Sequence, residues 1–171
     1  MPKRKSERSP DAFAWGASIV FVIIVIVGQY VERGDSLFAR AAGLVTLALA
    51  CAFFFPPLFL LQRHGGAGAG QHPMQTNVVV DRGLYAIVRH PQYLGYILLV
   101  LGFICLFQNL VIGALGALAI ALFCGQAVRE ERYCIQKFGQ EYEDYAQRVP
   151  RLNFILGIIR FLARRRASGK N

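Results

Sequence analysis

Negative charge is scarce in this chain. Ten acidic residues stand against 19 lysines and arginines, a formal charge of +9, and none of the ten falls within its long apolar runs. Cysteine is scarce too. Cys51, Cys105 and Cys124 lie in apolar runs, Cys134 lies outside them, and no pair has C-x-x-C spacing. That excludes a disulfide framework and gives no metal site, so the cysteines read as small apolar fillers. The glycine-rich stretch His64–Gly70 follows no strand and is followed by no Lys-Ser/Thr pair. It is therefore a flexible linker rather than a phosphate-cradling loop. No internal repeat is present.

What remains is apolar. Hydrophobic residues make up 55% of 171, and mean hydropathy is +0.41. Four runs approach the roughly 20 residues needed to cross a bilayer: Ala12–Tyr30, Phe38–Leu61, Tyr93–Phe107 and Leu110–Val128. The third is short and borrows Pro91 and Gln92 at its start. A chain of this size cannot bury four helices that are apolar all round. The expected fold is an all-α integral membrane protein of about four transmembrane helices in one domain, 1–171. Residues 1–11 form a basic tail and 12–61 carry spans one and two. Residues 62–90 form a loop, 91–128 carry spans three and four, and 129–171 form a helical and interfacial segment.

Basic residues cluster in the N-terminal tail, the middle loop and the C-terminal segment; only Arg33 and Arg40 fall elsewhere. The positive-inside rule then places both termini and the middle loop in the cytosol. Val27-Gly28-Gln29 is a poor cleavage site, so the first run is expected to be a retained span rather than a signal sequence. Nucleic acid is not an expected partner, because basic juxtamembrane segments ordinarily meet the anionic headgroups of membrane lipids. Nothing in the composition reports the oligomeric state.

Outside the spans, Thr76–Val80 is β-branched and predicted extended, with a turn at Asp81-Arg82-Gly83. Gln126, Arg129, Glu130, Tyr133, Cys134 and Lys137 keep helical spacing, which predicts that span four runs on to a stop at Phe138-Gly139. A short helix carrying Tyr142 and Tyr145 should end before Pro150. Phe154–Ala163 is too short to span and precedes Arg164-Arg165-Arg166, the pattern of an interfacial helix.

Two features carry chemistry. In Arg89-His90-Pro91-Gln92-Tyr93-Leu94-Gly95, Pro91 suits the first turn of span three. His90 and free backbone N–H groups then sit at its positive end, where an anion is favoured, and Arg89 adds a fork suited to a carboxylate. Tyr85 and Tyr93 offer aromatic faces to a cation. The plain alternative is a helix start with interfacial tyrosines. The second feature is Glu130-Glu131, with Gln126 one turn before Glu130 on the same face. Its plain alternative is a solvated helix balanced by Arg129 and Arg132. Antiparallel pairing of spans three and four brings the two features together. A ligand with a carboxylate, an ammonium, a sulfonium and an aromatic base fits such a set. S-adenosylmethionine has all four, although spacing and charge do not identify it.

The order Gly83-Leu84-Tyr85, Arg89-His90-Pro91-x-Tyr93-x-Gly95, Glu130-Glu131, Phe138-Gly139-x-x-Tyr142-x-x-Tyr145 and Val149-Pro150-Arg151 resembles the isoprenylcysteine carboxyl methyltransferase family, itself similar to phospholipid N-methyltransferases. The resemblance runs from about Thr76 to Arg151. It implies a membrane-embedded S-adenosylmethionine-dependent methyltransferase with a cytosolic cofactor pocket, closed by the C-terminal segment 129–171, and a lipophilic substrate arriving from the bilayer. It further implies that Asn77, Val78, Val79, Val80, Tyr85, Arg89, His90, Pro91, Gln92, Tyr93 and Glu130 meet the cofactor. Gln126 departs from the pattern, because carboxyl-methylating members carry arginine there. Arg129 is expected to substitute for it, and Glu131 or His90 to serve as base where the acceptor needs one. A neutral glutamine leaves amine, hydroxyl and thiol acceptors open beside a prenylcysteine-type carboxylate. Two other readings stand beside this one. NADPH-dependent sterol reductases are similar over the same motif but are much longer, and a non-catalytic membrane relative would keep the fold alone.

Overall fold

Asn109 begins the longest element. Its side chain accepts from the Val111 amide at 2.9 Å, capping a helix that runs from Leu110 to Phe138. The computed structural model describes residues 12–65 and 77–168, and the rest of the fold assembles around this helix. In chain order the helices are α1 (Ala12–Val27), α2 (Leu37–His64), α3 (Pro91–Phe107), α4 (Leu110–Phe138), α5 (Gln140–Arg148) and α6 (Phe154–Ser168), with a 3-10 turn at Gly83–Ala86. The expectation of an all-helical chain holds among the described residues. Val78–Val80 forms no regular element, and among the described residues no strand lies beside it to complete a ladder. The basic tail, most of the glycine-rich linker and Thr76 lie outside the described residues.

Two helices, α2 and α4, are long and apolar enough to cross a membrane, while α1 and α3 are apolar but shorter. Only 11% of the most apolar stretch of α2 is buried. That decides against a core helix of a water-soluble protein, since the remaining apolar surface faces outward. At 1.5 Å per residue α4 is about 43 Å long, well beyond a hydrocarbon core of about 30 Å.

Helix α3 is central. It packs against both α2 and α4, and α1 lies against α4. Gly95 explains how closely α2 and α3 meet: a Cβ there would sit 3.2 Å from the Ala50 carbonyl oxygen and from the Phe54 nitrogen. Ala17 and Ile24 of α1 fill the groove between α3 and α4 against Val100, Phe107, Ile112 and Ala119, all buried. At one end of the bundle the Gln108 amide clasps Ser36, accepting from its N–H and donating to its carbonyl, both at 3.0 Å. That clasp fixes the short α3–α4 corner. The opposite end is where the first turn of α3 meets the last turns of α4.

Candidate functional site

Pro91 stands at the first position of α3, where its missing N–H costs nothing, and His90 caps the helix from non-helical backbone. The run Arg89–Tyr93 thereby faces the far end of α4. The Tyr93 hydroxyl donates to Glu130 at 2.6 Å. Arg89 donates through Nη1 to Glu131, and Arg151 donates to the other oxygen of the same carboxylate. The chain around Arg151 is held by backbone as well. The Arg89 N–H donates to the Pro150 carbonyl at 3.0 Å and the His90 N–H to the Arg151 carbonyl at 3.2 Å. One buried carboxylate thus ties three separated stretches of sequence together.

The last part of α4 ends at Gly139, whose φ of +59° is a conformation that favours glycine. The chain then turns into α5, which buries Tyr142 and Tyr145 on one face. Tyr145 donates its hydroxyl to the Tyr85 carbonyl at 2.7 Å. The 3-10 turn is therefore anchored on α5.

These elements enclose a cavity of about 290 Å³. Val78, Val79, Val80 and Tyr85 line it from the irregular segment, Arg89, His90, Pro91, Gln92 and Tyr93 from the start of α3, and Gln126 and Glu130 from α4. Phe138, Tyr142 and Tyr145 line it from the end of α4 and from α5. Three expected site residues do not line it. Asn77 is exposed, its N–H directed to the Gly65 carbonyl. Arg129 turns towards α1, with its guanidinium 5.2 Å from the centroid of the Phe13 ring. Glu131 points inward to its two arginines instead of into the cavity.

The electrostatics are those of a site with unmet capacity. His90 Nε2, Gln92 Nε2, Gln126 Oε1 and Arg89 Nε are buried without a hydrogen-bond partner. Such orphans are rare in a finished core, where an unsatisfied group costs about 1–3 kcal/mol. All four belong to residues that line the cavity. Burial pushes the His90 imidazole down to about 4, against a smaller opposing pull from Glu131, so the ring is neutral at pH 7. Burial also raises Tyr85, Tyr142 and Tyr145 well above the usual phenol range, with Glu130 adding to the effect at Tyr85. The aromatic wall is uncharged.

Residues of four helices add to the lining: Ser18 of α1, Leu61 of α2, Tyr96 of α3 and Phe123 of α4. The Tyr96 and Phe123 rings stack with centroids 4.9 Å apart and planes 3° from parallel. Neither was singled out from the sequence, although Tyr96 follows Tyr93 by three residues and Phe123 precedes Gln126 by three. Helical spacing puts each pair on one face.

Residues 71–137 match the model of the isoprenylcysteine carboxyl methyltransferase (ICMT) family, which bears out the resemblance read from the motifs. Among curated proteins, the chain is 39% identical over 77 residues to the protein-S-isoprenylcysteine O-methyltransferase of Schizosaccharomyces pombe, covering 44% of this chain and 33% of that one. It is 38% identical over 85 residues to the enzyme of the same name from Mus musculus, covering 48% and 30%. A Delta(14)-sterol reductase of Mus musculus is 33% identical over 70 residues, covering 40% of this chain and 17% of that protein. The match thus spans about a third of the methyltransferases' length. No solved structure matches.

Proposed function

We propose that the chain is a membrane-embedded, S-adenosylmethionine-dependent O-methyltransferase acting on an isoprenoid-bearing acceptor. The observation that carries this reading is the set of buried polar atoms without partners on Arg89, His90, Gln92 and Gln126, on residues lining a cavity walled by neutral aromatic rings. A cofactor with both polar and cationic parts fits that lining. His90, Gln92, Tyr93 and Glu130 would hold its polar groups, and the faces of Tyr85, Tyr142 and Tyr145 would sit beside its cationic sulfur. When bound, the cofactor supplies an electrophilic methyl group.

The chain's own contribution is alignment and exclusion of water. A carboxylate acceptor is already a nucleophile and needs no base, which agrees with Glu131 being committed to two arginines. Gln126 cannot supply the cation that carboxyl-methylating members place at its position. Arg89 can, since it lines the cavity and keeps Nε unpartnered. The apolar part of the lining, Leu61, Tyr96 and Phe123, suits an isoprenoid tail entering from the bilayer. In this reading all four apolar helices cross the membrane. The basic segments put both termini and the cavity on the cytosolic side.

The test is methyl transfer in detergent from radiolabelled S-adenosylmethionine to an S-farnesylcysteine acceptor, followed by mild base. Label released as volatile methanol identifies a methyl ester and supports the reading. Base-stable label places the methyl on nitrogen or sulfur, and no transfer to any prenylated acceptor removes the proposal.

A further inference from the structure

A second hollow, of about 270 Å³, lies behind the first and shares the Tyr145 wall with it. It sits between the 3-10 turn, α5 and α6, and Arg148, Arg164 and Arg165 border it. The bordering residues include a single acid, Asp81. None of the three arginines forms an ion pair among the described residues. Arg148 directs Nε to the Asp144 carbonyl, Arg164 donates to the carbonyls of Arg148 and Ala86, and Arg165 lies 5.3 Å from the Phe161 ring centroid. A concave site with a surplus of two positive charges is an incomplete arrangement, and a phosphate is the group that forked guanidinium donors complete best.

The position of α6 says where the phosphate comes from. Gly157 lets this helix lie backbone to backbone on the segment after the 3-10 turn, since a Cβ there would stand 2.0 Å from the Ile87 carbonyl oxygen. The opposite face carries Ile155, Ile158, Ile159 and Leu162, all exposed and spaced as one helical stripe. By helical spacing Arg165 of the hollow flanks this stripe, and an apolar stripe flanked by a basic side chain suits a helix lying in the headgroup layer.

We infer that the hollow bordered by Arg148, Arg164 and Arg165 binds the phosphate of an anionic phospholipid whose acyl chains lie along the exposed stripe of α6. The inference rests on charge complementarity and on the amphipathic helix, and stands apart from the reaction proposed above. Because Arg164 and Tyr145 both anchor the 3-10 turn, a lipid held here also braces the rear wall of the larger cavity.

The test uses the full chain purified in detergent, stripped of lipid, and offered phosphatidylglycerol or phosphatidylcholine, with retained lipid counted by native mass spectrometry. One retained phosphatidylglycerol, preferred over phosphatidylcholine by about tenfold or more, is expected. R148Q and R165Q should each lower that retention about fivefold or more, while R166Q, the same charge change outside the hollow, should lower it less than about twofold. Thermal melting of each variant checks that it is folded, and R165Q gives up only an exposed contact to Phe161. Equal retention of the two lipids, or equal losses in R165Q and R166Q, overturns the inference. Displacement of phosphatidylglycerol by millimolar inorganic phosphate alone would assign the hollow to free phosphate and overturn the lipid as occupant.

Discussion

The hydroxyl of Tyr93 and the carboxylate of Glu130 meet at 2.6 Å across the α3–α4 interface. Thirty-seven residues apart in sequence, they are brought together by the hairpin, and both line the larger cavity. The hydrogen bond orients Glu130 before any ligand arrives. Tyr93→Phe should therefore keep the fold but weaken S-adenosylmethionine binding by about tenfold to a hundredfold, the worth of one hydrogen bond to a charged group. Isothermal titration in detergent measures it. Unchanged affinity would show that Glu130 needs no orienting.

Glu131 has a different task. It is a positioning residue, holding Arg89 and Arg151 and with them the chain that follows α5. Side chains of Glu131 and Arg89 are 9% and 10% exposed, so removing the carboxylate leaves a guanidinium buried without its counter-charge. Glu131→Ala is expected to cost about 3–5 kcal/mol of stability. Denaturant unfolding in detergent reads this, and a loss below about 1 kcal/mol would mean that water already screens the clamp.

The pH dependence of stability should follow His90. Its folded value of about 4 lies below the ordinary 6.5, so between these values the unfolded chain binds a proton that the folded chain does not. Stability from this group is complete above pH 6.5 and declines as pH falls towards 4, by at most about 3 kcal/mol. His90→Asn should flatten the melting temperature across that window. An unaltered slope would assign the dependence to other groups.

Gln126 offers a change of opposite signs. It is 2% exposed and its Oε1 has no partner. Gln126→Leu removes an unsatisfied polar atom and should leave stability unchanged or raise it by about 1 kcal/mol. In the proposed reaction that amide meets the acceptor, so kcat/KM should fall about tenfold or more. Parallel melting and methyl-transfer assays separate the two effects.

Much of this arrangement could be read from residue patterns. Pro91 marked the start of α3, Gly139 the end of α4, and helical spacing carried α4 past its apolar run, because each depends on local backbone chemistry. The meeting of Tyr93 with Glu130 followed from two antiparallel helices joined by a short corner. Contacts between elements that are not joined by a short corner were not legible. Arg129 was expected at the reaction centre, yet α1 packs so that Phe13 receives it. Glu131 was left open as a base, because nothing local shows that Pro150 and Arg151 return to pair with Arg89 and His90. Val78–Val80 has strand composition, but among the described residues no neighbouring strand pairs with it, so propensity had nothing to act on.

The central claim is that the cavity at the α3–α4 end is built for S-adenosylmethionine. Thermal melting of the detergent-purified chain against S-adenosylmethionine and NADPH tests it most directly. At about 100 times its dissociation constant the correct ligand adds about 2.7 kcal/mol of stability. The account predicts a clear upward shift with S-adenosylmethionine, none with NADPH, and loss of the shift in Glu130→Ala. A shift with NADPH alone would contradict it.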